Sequence, residues 1–81
     1  MPKIFEWSGY KFFFFSNEGT PRERCHVHVR KGEKTAKFWI EPSVTLESAY
    51  EMSSQELNKI EKVILEKSDL IRSKWNEFFR A

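Results

Sequence analysis

Two imidazoles, His26 and His28, stand two positions apart in Cys25-His26-Val27-His28-Val29-Arg30. Lys31-Gly32-Glu33-Lys34 and Thr35-Ala36-Lys37-Phe38-Trp39-Ile40 follow. Side chains two apart on a strand share one face at a spacing of about 7 Å, room enough to flank a phosphodiester. Near neutral pH an imidazole can take a 2′-hydroxyl proton or protonate a leaving oxygen, so the pair suits metal-independent ribonuclease chemistry. Arg30 and Lys37 would stabilise charge on the phosphoryl oxygens, and Trp39 would stack a splayed base. Arg22 and Arg24, directly upstream, would form a basic lip beside the face. His26 and His28 are thus the candidate catalytic residues, and Arg22, Arg24, Arg30, Lys37 and Trp39 the candidate binding residues. The same residue types also suit nucleic-acid binding without cleavage, a protein–protein interface or a solvated surface, and these alternatives stay open.

A metal reading draws on the same pair. Cys25 alternates to the other face, and Glu41 and Glu47 have no spacing argument behind them, so a third ligand is missing and no metal or other cofactor is expected. Cys25 itself reads as a small buried hydrophobe rather than a nucleophile. The chain has no Gly-rich phosphate loop, Ser/His/Asp set or helix-borne His-Glu motif.

The face needs a hairpin to hold it. Both flanks alternate with period two, and a turn centred on Gly32-Glu33 pairs Arg30 with Thr35, His28 with Lys37 and His26 with Trp39. That register puts Val29 opposite Ala36, Val27 opposite Phe38 and Cys25 opposite Ile40, giving one apolar face and one wet face. Upstream, Lys3–Trp7 and Tyr10–Ser16 read as strands around a Ser8-Gly9 turn. Phe12 and Phe14 point one way and Phe13 and Phe15 the other. A central strand covered on both sides explains this, with an exposed Phe13/Phe15 patch as the alternative. Residues 17–24 form a polar connection. Glu41-Pro42 ends the hairpin, and Ser43–Glu47 reads as a short edge strand. Residues 48–52 read as a loop whose Tyr50 or Met52 tucks under the helix.

Ser53 and Glu56 form a capping box that opens a helix over about 54–80. Leu57, Ile60, Ile64, Ile71, Trp75 and Phe78 recur at helical spacing, widened by Val63, Leu70 and Phe79. Such a helix would be longer than the sheet it covers, and Ser68-Asp69 offers a point for a kink or break. The order β-β-β-β-(β)-α describes one α+β domain: a small, mainly antiparallel sheet of four to five strands with the C-terminal helix on one face.

At 81 residues the core is thin, and eight Phe, three Trp and two Tyr are an efficient filling for it. A net charge of +2 permits nucleic-acid binding without arguing for it. The lone Cys25 excludes an internal disulfide. With no secretory signal and no apolar run long enough to span a membrane, a cytoplasmic location is expected.

The opening Pro2-Lys3-Ile4-Phe5, the Tyr10–Phe14 strand, His26–Gly32, Ala36–Pro42 and the closing Lys74-Trp75-Asn76-Glu77-Phe78-Phe79 together resemble the small prokaryotic domain-of-unknown-function family 4160. The family commonly has Pro-Pro before its His-x-His; here Arg24-Cys25 stands there. The resemblance implies no reaction. It implies half of a two-gene, toxin–antitoxin-like module, with a cognate small protein encoded nearby as partner. RNA and a second copy of the chain are the other partners considered.

Overall fold

Turn chemistry sets the sheet. The computed structural model describes residues 3–15 and 24–79. Strands β1 (Lys3–Trp7) and β2 (Tyr10–Phe13) join through Ser8-Gly9, where φ is 51° and 83°. Positive φ at both loop positions matches the twist of a two-residue hairpin. Strands β3 (His26–Lys31) and β4 (Lys34–Trp39) join through Gly32-Glu33, with Gly32 at φ 63°. The register is His26↔Trp39, Val27↔Phe38, His28↔Lys37, Val29↔Ala36 and Arg30↔Thr35, as the alternation predicts. The Ile40 amide donates to the Cys25 carbonyl at 2.8 Å and extends the pairing by one step.

Among the described residues the sheet has five antiparallel strands in the order β1-β2-β3-β4-β5. Strand β5 runs Thr45–Tyr50, beyond the expected end at Glu47 and into residues expected to form a loop. The reason is a bulge. Lys37 pairs with Ser48 but Phe38 pairs with Leu46, so Glu47 is an extra residue that breaks the period-two pattern. β5 is an edge strand, and all six of its residues are exposed.

The helical stretch is two helices, α1 (Ser54–Glu66) and α2 (Ser68–Phe78). The capping box at the start of α1 is formed: Glu56 N–H donates to Ser53 Oγ at 3.1 Å and Ser53 N–H to Glu56 Oε1 at 3.0 Å. The break falls at Lys67, with φ −105° and ψ 12°. Ser68 does not cap α2; its hydroxyl donates backwards to the Leu65 carbonyl at 3.2 Å, a local bond that competes with the helical ladder. The architecture is α+β, with both helices following the sheet in sequence. No helix among the described residues is long and apolar enough to cross a membrane.

One apolar cluster joins the two layers. Phe12, Phe14, Val27, Val29, Ala36, Phe38 and Ile40 of the sheet and its flanks are buried with Ile60, Val63, Ile64, Ile71 and Trp75 of the helices. Cys25 is buried with them, as its place in the alternation requires. Glu56 ties the layers at the other end. Its Oε2 accepts from Tyr10 Oη at 2.6 Å and from Lys34 Nζ at 2.9 Å, linking α1 to β2 and to the tip of the β3–β4 hairpin.

Candidate functional site

Cross-strand partners share a face of the sheet. The pairs Lys11↔Arg30, Phe13↔His28, His28↔Lys37 and His26↔Trp39 therefore gather Lys11, Phe13, His26, His28, Arg30, Lys37 and Trp39 on the side opposite Val27, Val29 and Phe38. The imidazoles thus occupy the expected face, but only one of them is open.

His28 is half-buried, whereas His26 has no exposed surface. This corrects the expectation of two accessible imidazoles. Trp75, arriving from α2, packs against His26 at 5.0 Å between ring centroids and against Phe14 at 5.1 Å, closing over the start of β3. Trp39 and His28 flank the same imidazole at 5.2 Å each. His26 Nδ1 donates to the Arg24 carbonyl at 2.8 Å, which puts the hydrogen on that nitrogen. His26 is therefore tied to the backbone just before β3 and has no exposed surface.

The remaining candidates divide clearly. Arg24 is exposed, with its guanidinium 4.1 Å from the Trp39 ring centroid, and Lys37 Nζ lies 4.6 Å from the same ring. Two cations on one half-buried indole form a compact cation–π group. Arg30 is exposed and lies 5.8 Å from the Phe13 ring. Arg22, the fifth expected binding residue, lies outside the described residues, as does most of the polar connection it belongs to.

A groove of about 400 Å³ runs along this face, lined by Phe13, Phe15, His28, Arg30 and Lys37 on one side and by Ser48 and Tyr50 of β5 on the other. Phe15, Ser48 and Tyr50 were not among the site residues expected from the sequence. Exposure of Phe13 and Phe15 was one of two alternatives, and the two rings in fact differ: Phe13 is buried at 6 % exposure while Phe15 is 39 % exposed. The Phe15 ring sits 4.3 Å from that of His28. Of the two residues expected to tuck under the helix, Met52 packs against the core, whereas Tyr50 is 62 % exposed and opens onto the groove. Its signal was the alternation of β5, hidden by the bulge at Glu47.

Cations outnumber carboxylates on this face among the described residues, and Glu6, opposite Lys11, is a carboxylate on it. No acidic residue lines the groove among the described residues. A smaller hollow adjoins it, lined by Lys3, Lys11, Phe13 and Arg30. Glu6, opposite Lys11, is engaged by Lys3 at 2.6 Å. Lys11 and Arg30 stand directly opposite each other as like charges, and Glu6 on the far side of Lys11 interacts with Lys11 as well as with Lys3. No group of three or more His, Cys, Asp or Glu among the described residues is placed to hold a metal ion.

Residues 9–76 match the family described as a domain of unknown function, DUF4160. The chain belongs to this family. No curated protein and no solved structure matches it. The DUF4160 match takes in β2 through most of α2, and so the whole groove and the Trp75 closure over His26.

Proposed function

We propose that the chain is a binding module that engages RNA through the open face of its sheet and works as one component of a toxin–antitoxin-like pair in the cytoplasm. One observation carries the reading. Arg24, Arg30, Lys37 and Lys11 surround aromatic rings on a face whose groove has no carboxylate among the described residues. Cations interleaved with aromatic faces suit a phosphate backbone with bases beside it. The reading is of binding and not of cleavage, because the groove offers one imidazole, His28, while His26 is sealed under Trp75. One accessible imidazole leaves the second proton-transfer role unfilled.

The test is binding of the purified protein to a labelled RNA oligonucleotide across a salt series. Affinity that falls steeply with salt, and falls further in an Arg30→Gln/Lys37→Gln variant, supports the reading. Binding that is absent, or indifferent to both changes, removes it.

A second reading concerns the cognate protein. All six residues of β5 are exposed, and an edge strand presents unpaired backbone groups to any chain able to add a strand. A partner that captures the wild type but not a variant with proline in place of Ser48 supports that docking mode. Equal capture of both excludes it.

A further inference from the structure

The groove is more specific than a basic surface. It is flanked by two large exposed rings from different strands, Phe15 after β2 and Tyr50 at the end of β5, at 39 % and 62 % exposure. Between them lie neutral groups, the hydroxyls of Thr35 and Ser48 and the half-buried His28 ring; Arg30 and Lys37 bring the cations. Its volume of about 400 Å³ falls within the range of about 300–1,000 Å³ usual for small-ligand clefts. A ligand that is only a string of phosphates would use the cations and leave the rings unexplained. A duplex would present its backbone but keep its base faces stacked inside.

We infer that the groove receives unpaired nucleobases of single-stranded RNA, stacking on Phe15 at one end and Tyr50 at the other, while Arg30 and Lys37 take the flanking phosphates. The inference rests on the RNA-binding reading above and narrows it to single strands. Thr35 and Ser48 meet the base edge with hydroxyls, which donate or accept and so tolerate more than one base. Recognition is accordingly of an exposed base in a strand or loop, with little preference among sequences.

The experiment measures fluorescence anisotropy with three probes: a ten-nucleotide oligouridylate, an RNA duplex of the same length, and inorganic polyphosphate as competitor. The proteins are the wild type and a Phe15→Ala/Tyr50→Ala variant, whose folding is checked by thermal melting. Both side chains are surface-exposed, so the variant keeps its core. The expected result is preference for the single strand. The variant should lose tenfold to a hundredfold in oligouridylate affinity, in line with a stacking contribution of about that size, with competition by polyphosphate changed less than about twofold. Equal binding of duplex and single strand, or an unchanged affinity in the variant, would overturn the inference while leaving RNA binding intact. Absence of binding to either RNA would overturn the underlying reading and this inference with it.

Discussion

His26 and Trp75 lie ring against ring, 5.0 Å between centroids and tilted by 58°, although the first stands at the start of β3 and the second near the end of α2. Through this contact the last helix fixes the first residue of the strand that carries His28. His26→Ala would remove the buried ring, its bond to the Arg24 carbonyl and the packing of two tryptophans. The expected loss is about 2–4 kcal/mol in chemical denaturation. His28→Ala, at a half-open position, should lose less than about 1.5 kcal/mol. Equal losses at the two positions would contradict the division of roles between them.

Glu56 gives the fold an acid-sensitive joint. Hydrogen bonds from Tyr10, from the Ser53 amide and from Lys34 hold its carboxyl down to about 2, against an ordinary value of 4.5. The same bond pushes the Tyr10 hydroxyl up. Because the folded value lies below the unfolded one, the unfolded chain binds the proton more readily as pH drops. The associated stability is present above about pH 4.5 and is lost as pH falls towards 2. Denaturation midpoints measured across that acid range should fall less in Glu56→Gln than in the wild type.

On the proposed RNA-binding reading, removing single cations from the open face should change the salt dependence of RNA binding as well as its affinity. Deleting one phosphate-binding cation lowers the slope of log K against log salt by about 0.7 for a single strand. Lys37→Gln and Arg30→Gln are each expected to show about that change. A Lys59→Gln variant, on the helix and outside the groove, should keep the wild-type slope.

Gly32 isolates backbone conformation from packing. It holds φ at 63°, and nothing lies within 4 Å of where a Cβ would be. Gly32→Ala should therefore lose about 1–2 kcal/mol from the left-handed conformation alone, and Gly32→Asn distinctly less. Thermal melts of the two variants check this, and equal losses would point to a clash that the turn does not contain.

Cys25 is 3 % exposed, and burial pushes its thiol up to about 12. A native sample at mildly alkaline pH should react with a disulfide reagent at least about tenfold more slowly than the same protein in guanidinium. Comparable rates would mean that the start of β3 opens readily.

The parts of the fold legible in the sequence were those with local causes. A two-residue turn at Gly32-Glu33 sets the phase of β3 against β4, so every pair from His26↔Trp39 to Arg30↔Thr35 could be read from the residues alone. The cap at Ser53 and Glu56 was readable for the same reason. Alternation, however, says which face a side chain takes and not what covers it. The burial of His26 depends on Trp75, whose approach is set by the break at Lys67 and the packing of α2. Period-two reading also failed at Glu47, where one inserted residue hid the second half of β5 and with it Ser48 and Tyr50. The candidate site was thus half visible: its cations and Trp39 came from the hairpin, its far wall from a strand whose pattern was interrupted.

That far wall contributes backbone pairing to β4 but no buried side chain. Every residue of β5 is exposed, while the wall across from it is built on Phe13 and His28, which pack into the sheet's own aromatic cluster. On the proposed reading, changes at Ser48 or Tyr50 therefore alter what the cleft accepts while leaving the buried core untouched.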